Sequence, residues 1–177
     1  MLNPHHIPRI IVSTSLCKGA PKMKDIVFFD TEINPESGDI LDIGAVRSDG
    51  QILHTARQAE FAAFVRDCQF ICGHNIFKHD LKYVGDLIRN SNPRCVFIDT
   101  LPLSPLLFPK RPYHNLLKDD KLQTEELNNP LNDAKKAKNL FYDEVNAFSE
   151  LPSPLRSIFL DCLETRLRFL DSFIILI

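Results

Sequence analysis

Two hydrophobic periods alternate along the chain. Ile26-Val27-Phe28-Phe29 is an unbroken apolar run inside Asp25–Ile33, and it reads as a buried strand. Asn34-Pro35-Glu36-Ser37-Gly38 has the composition of a turn. Ile40 to Val46 then reads as a second strand, Asp49-Gly50 as a hairpin turn and Gln51 to Thr55 as a third strand. Sequential strands joined by tight turns predict an antiparallel meander. Ala59 to Cys68 has helical spacing, with Phe61, Phe64 and Val65 on one stripe. Phe70-Ile71-Cys72 reads as a short buried strand, and His79 to Arg89 as a helix with Leu81, Val84, Leu87 and Ile88 turned inward. Cys95 to Ile98 is a fifth strand, followed by helical pattern interrupted by a Pro-rich connection over 102–112. The order βββ-α-β-α-β-α predicts an α/β domain: a mixed five-stranded sheet, antiparallel meander then parallel strands, flanked by helices.

Composition narrows the class only a little. At 177 residues the chain is long enough for one domain with a sizeable core. A formal net charge of −2 gives no global basic footprint, which weighs against a stable nucleic-acid-binding module but not against an enzyme that releases its substrate. Lys78, Lys82, Lys110, Arg111, Lys118, Lys121, Lys135, Lys136 and Lys138 gather around the later motifs, although such runs usually form solvated helix faces. Cys17, Cys68, Cys72, Cys95 and Cys162 form no C-x-x-C pair and have no histidine at zinc-site spacing. An odd count of this kind reads as reduced thiols. No apolar run approaches the roughly 20 residues that span a bilayer, so a cytoplasmic location is expected, with no membrane partner.

Residues 1–22 carry His5, His6, three prolines and the short run Ile10-Ile11-Val12, and read as an irregular tail before Met23.

The candidate chemistry begins at the end of the first strand. Residues i and i+2 of a strand point to one face, so Asp30 and Glu32 converge. Two like charges that close need a counter-charge, and a divalent cation held by hard oxygen ligands is the usual one. A second stretch, Cys72-Gly-His-Asn-Ile-Phe-Lys-His-Asp80, runs from a strand into His74 and Asn75 and puts Asp80 in the first turn of a helix. A third is Asn128-Asn-Pro-Leu-Asn-Asp133-Ala. There Asn129 is a good N-cap, Pro130 a good first helical residue, and Asp133 lies in the opening turns. Singly, each aspartate is an ordinary helix-start residue favoured by the helix dipole. Together with Asp30 and Glu32 they read as one site.

Phe-Phe-Asp30-Thr-Glu32, Gly-His-Asn75 with Asp80, and Asp133-Ala resemble the three motifs of the DEDD superfamily, the DnaQ-like 3′→5′ exonucleases. Ile43-Gly44-Ala45-Val46 resembles the second strand of that family and Asp99-Thr100 its fifth-strand ending, so the likeness covers roughly residues 24–148. The setting of His114, Lys118-Asp119 and Asn128-Asn-Pro also resembles exonuclease modules attached to RecQ-like helicases. The resemblance implies a ribonuclease H-like fold and removal of nucleotides from single-stranded 3′ ends, of DNA or RNA, with two Mg²⁺ or Mn²⁺ ions. It implies that Asp30 bridges both ions, that Glu32 and Asp133 hold the ion on the nucleophile side, and that Asp80 completes the set. It assigns substrate contacts to Thr31, Ile33, His74 and Asn75, and makes a helicase or polymerase domain or subunit the expected partner.

The chain departs from the family at two places. Where the histidine-bearing branch has its general base, five residues before the last aspartate, this sequence has Asn128, whose amide accepts no proton at neutral pH. Either His114 takes the role, or the ions alone suffice, or the domain is a slow or inactive nucleic-acid-binding module. The interval between Glu32 and His74 is short, so grip on the terminal base is expected to be weaker or to come from another domain. The chain also ends on apolar Phe-Ile-Ile-Leu-Ile177 after an expected amphipathic helix over Leu155–Leu170, which suggests a partner surface or a truncated longer protein. The expected organisation is thus a tail over 1–22, an exonuclease domain over 23–150 and a C-terminal helix over 151–177 leading towards a partner. Deleting residues 1–22 is expected to leave the melting temperature nearly unchanged in a thermal scan, and a large drop would refute the reading as a tail.

Overall fold

The computed structural model describes residues 26–116 and 129–167. The N-terminal tail, Lys118, Asp119, Lys121, Asn128 and the apolar C-terminus lie outside these residues. The strands are β1 (Ile26–Ile33), β2 (Ile40–Arg47), β3 (Ile52–Thr55), β4 (Phe70–Gly73) and β5 (Val96–Asp99). The helices are α1 (Gln58–Val65), α2 (Leu81–Ser91), the single turn α3 (Ser104–Leu107), α4 (Pro130–Glu150) and α5 (Ser153–Leu167).

One five-stranded sheet carries the molecule, in the order β3-β2-β1-β4-β5. The meander is present, since β2 is antiparallel to both β1 and β3. β4 runs parallel to β1, and β5 parallel to β4. β1 is central because it is apolar on both faces, as a doubly covered strand has to be. Val27 and Phe29 enter a core shared with α1 and α2, where the Phe29 and Phe61 rings lie 5.4 Å apart. Ile26 and Phe28 enter a second core beneath α4, with Phe28 5.5 Å from Phe141. Full burial of such side chains contributes about 1.5–3 kcal/mol each. Gly50 turns the β2–β3 hairpin at a positive φ of 95°, as the Asp49-Gly50 pair predicts.

The alternation along β1 decides which side chains reach which layer. Asp30 and Glu32 share the face of Phe28, towards α4, whereas Thr31 shares the face of Phe29, towards α2. α4 starts as the Asn-Pro pair predicts: the Asn129 side chain accepts from Leu131 N at 3.0 Å and Pro130 opens the helix. Its first turn is seated directly on Gly44, the residue paired with Asp30 across the sheet. A Cβ at Gly44 would lie 2.0 Å from Leu131 N and 2.2 Å from the Pro130 carbonyl carbon.

Two elements differ from the sequence expectation. The Pro-rich connection contains the turn α3, which four residues are too few to reveal by periodicity. The last helix forms over Ser153–Leu167, but none of residues 153–161 is buried, and Leu155 and Ile158 stand exposed. Cys68, Cys72 and Cys95 form no disulfide among the described residues. Among the described residues no helix is long and apolar enough to cross a membrane.

Because backbone rather than a mobile side chain faces Gly44, Gly44→Ala is expected to destabilise the fold by at least about 1–3 kcal/mol. Chemical denaturation should read this as a lower midpoint, and an unchanged midpoint would contradict the close seating of α4.

Candidate functional site

β1 delivers Asp30 and Glu32 to the α4 side of the sheet, and the helix that rests on Gly44 brings Asp133 in its first turn. Asp80 arrives from the other layer, at the N-cap of α2. It does not cap its own helix. Its Oδ1 accepts from the backbone N–H of Thr31 at 2.9 Å and from Thr31 Oγ1 at 2.6 Å. The N-terminus of α2 is thereby tied to the strand between Asp30 and Glu32, and Asp80 is itself buried.

Asp30 feels the other three carboxylates. Burial pushes the Asp30 carboxyl up to about 8, and the charges of Asp80, Asp133 and Glu32 push in the same direction. Burial also raises Asp80, partly offset by the hydrogen bonds from Thr31 and by His79, whose Nδ1 lies 3.7 Å from Asp80 Oδ2. Asp133 Oδ1 is 3.3 Å from Lys136 Nζ, one turn further along α4. Asp42 is paired with Glu32 across β1 and β2, and its Oδ2 lies 2.6 Å from His54 Nε2. The acidic rim therefore continues onto β2, where Asp42 meets a histidine from β3.

A second layer of the site is built on Asp99, at the end of β5. Its carboxylate accepts from the backbone N–H groups of Asn75 at 2.7 Å, Phe77 at 3.2 Å and Leu101 at 3.0 Å. This clamps the loop between β4 and α2, in which Asn75 adopts a left-handed φ of 66°. Gly73 is required at the start of that loop, since a Cβ there would lie 2.7 Å from Phe29 O. His74 Nδ1 is 2.8 Å from Thr100 Oγ1, while its Nε2 is buried without a hydrogen-bond partner among the described residues. Burial holds the His74 imidazole below its usual range, against the pull of Asp99 and Asp133. His114 is tethered through Nδ1, 3.0 Å from the hydroxyl of buried Ser104.

Asp30, Glu32, Asp80 and Asp133, singled out in the sequence, are thus gathered within electrostatic reach around the end of β1. Thr31 is engaged by Asp80, and Ile33 follows a register slip after Glu32. Asn75 and His74 sit in the clamped loop, and Asn128 lies outside the described residues. The sequence reading does not find the clamp role of Asp99, nor Asp42, Ser104 or Glu144. Asp42 has a signal in hindsight, because Leu41-Asp42-Ile43 alternates in step with Phe29-Asp30-Thr31.

A metal would meet an all-oxygen donor set, the chemistry that suits Mg²⁺ or Mn²⁺. Burial of Asp30, with the neighbouring acids adding to it, is the electrostatic need that such a cation would answer. As the side chains stand, no three His, Cys, Asp or Glu among the described residues are placed to hold an ion. Asp133 faces Lys136, and Asp80 gives one oxygen to Thr31. No protein-family model matches the chain, and no curated protein is significantly similar to it.

Glu144, three turns beyond Asp133 on α4, is only 2% exposed, and neither of its carboxyl oxygens has a hydrogen-bond partner among the described residues. Burial, with the charge of Asp99 next, pushes it up to about 9. Between about pH 5 and 9 the folded protein therefore holds a proton at Glu144 that the unfolded chain releases. The group lowers stability as pH rises through that window, by up to about 1.4 kcal/mol per pH unit. Glu144→Gln, which keeps the neutral shape, is expected to flatten the fall of denaturation midpoint with pH and to exceed the wild type near pH 8. Parallel pH profiles for the two proteins would contradict the burial of an uncompensated carboxyl.

Proposed function

We propose that this chain is a metal-dependent 3′→5′ exonuclease of ribonuclease H-like fold that removes nucleotides from single-stranded DNA or RNA. The observation that carries the reading is the gathering of Asp30, Glu32, Asp80 and Asp133, from three distant stretches, at one end of the central strand. The element order, three meandering strands followed by alternating helices and parallel strands, is the order that the resemblance implies.

In this reading the four acids hold Mg²⁺ or Mn²⁺. Bound there, the cation supplies charge neutralisation and Lewis acidity for phosphodiester hydrolysis. The protein's own groups supply position and proton transfer. Thr31 fixes Asp80, and the seat of α4 on Gly44 fixes Asp133. Lys136 is a counter-charge that Asp133 gives up when it turns to the metal. His114 is the proton acceptor: when Nδ1 carries its hydrogen to Ser104 Oγ, Nε2 is left to take a proton from the attacking water. The chain works on an available 3′ end, and a helicase or polymerase domain or subunit is the partner that would provide one.

The Asp133–Lys136 pair favours a second reading, in which the same surface binds nucleic acid without cutting it. Digestion of a 5′-labelled single-stranded oligonucleotide with Mg²⁺ or Mn²⁺ separates the two. The exonuclease reading expects a ladder shortening from the 3′ end, absent in Asp30→Ala, and a circular single strand left intact. No products in either metal would select the binding module, and a cut circle would select internal cleavage. His114→Ala is expected to lower kcat by roughly 10²–10⁴-fold, the usual loss of a general base. Unchanged turnover in that variant would leave the role unfilled by His114.

A further inference from the structure

Beside the acids, on the β5 side of α4, lies a pocket of about 580 Å³ walled by the loop after α3 and by the outer face of α4. Arg111, Tyr113, His114 and Asn115 line it from the loop, and Lys136 and Asn139 from the helix. Its volume falls within the usual range of small-ligand sites. It adjoins the candidate site directly. Lys136 both lines it and meets Asp133 at 3.3 Å, and His114, the proposed base, forms part of its wall.

Three features of the wall are unexplained by folding. Tyr113 is 76% exposed, the most open of the large apolar side chains described. Arg111 is held by stacking on the Phe108 ring, its guanidinium carbon 3.9 Å from the ring centroid, so its charge is fixed rather than free to wander. Pro112 stands between them and restricts the backbone that presents both. Asp143 is the one acid among the described lining residues, against Arg111 and Lys136.

A polyanion has to approach four carboxylates on a chain of net charge −2, so cations next to those acids have to offset the repulsion. A fixed guanidinium beside an open aromatic ring is what single-stranded nucleic acid binds, through its phosphate and a base face respectively. We infer that this pocket seats an inner nucleotide of the substrate strand, its base stacked on Tyr113 and its phosphate on Arg111. The amides of Asn115 and Asn139 provide polar contacts for the sugar and base edge. The assignment rests on the exonuclease reading and adds to it a strand-binding subsite on the β5 side of α4.

The test uses the full chain and a short 5′-fluorescein oligothymidylate. Binding is measured by anisotropy in EDTA, and kcat and KM are measured with Mn²⁺. Tyr113→Ala is expected to weaken binding and raise KM at least about fivefold, the loss of one stacked base, with kcat nearly unchanged. Arg111→Ala should shallow the plot of log K against log salt by about 0.7, one single-strand phosphate contact, and Arg111→Lys should restore the slope. Lys135→Ala, on the exposed side of α4, should behave as wild type. Melting scans confirm that each variant is folded. If Tyr113→Ala and Arg111→Ala bind and cleave as wild type while Asp30→Ala is inactive, the subsite is refuted and the exonuclease reading stands. If the wild type neither binds nor cleaves oligothymidylate or oligouridylate, both fall. If thymidine monophosphate binding is lost in Tyr113→Ala but oligonucleotide binding is not, the pocket takes free nucleotides and the strand assignment is overturned.

Discussion

The first turn of α4 rests on the bare backbone of Gly44, and the placement of Asp133 beside the acids of β1 follows from that contact. Gly44 pairs with Asp30, so the helix lands beside the one strand residue whose charge is most crowded. Any side chain at residue 44 would meet backbone within about 2 Å and lift the helix. The Asn129 cap and Pro130 set the direction of entry, and Asp133 follows one turn later. On the opposite layer, the two hydrogen bonds from Thr31 to Asp80 do the equivalent work for α2. α2 is therefore keyed to Thr31 of β1 and α4 to Gly44 of β2, the partner of Asp30, from opposite sides of the sheet.

The consequence is a concentration of negative charge that the fold bears as a cost. Asp30, Asp80 and Glu144 are all shifted upward chiefly by burial, and neighbouring acids add to the shift at Asp30 and Glu144. Stored electrostatic strain of this kind is common where a site awaits an opposite charge. Lys136 and His79 answer it only in part, at 3.3 Å from Asp133 and 3.7 Å from Asp80. A hard cation answers it more fully, and the oxygen-only donors are of the right type. Asp99 shows the contrasting solution. Its carboxylate is buried too, but three backbone N–H groups satisfy it, and it serves to hold the loop of His74 and Asn75.

Much of the architecture is legible in residue order because it depends on local rules. The run Ile26–Phe29 reads as a buried strand, and Asp49-Gly50 and Asn129-Pro130 mark a turn and a helix start by their backbone preferences. Boundaries shift where tertiary contacts take over. α2 begins at Leu81 rather than His79, since the backbone N–H groups of Lys78 and His79 close turns onto the Asn75 carbonyl. The short turn α3 carries no periodic signal, yet its first residue Ser104 orients His114. Glu144 reads as an ordinary helix-surface acid until α4 is laid against Cys72 and β5. Tyr113 and Arg111 look like loop residues until the outer face of α4 closes a pocket with them. Contacts made between distant elements are the ones that residue order hides.

Whether the acids at the end of β1 take up a divalent cation is the claim on which the proposed activity turns. Titration of the full chain with Mn²⁺, following the free ion by electron paramagnetic resonance beside the Asp30→Ala variant, addresses it without any substrate. Saturable binding in the wild type that is lost or strongly weakened in Asp30→Ala is the predicted result. No saturable binding, or binding indifferent to Asp30, would contradict the account.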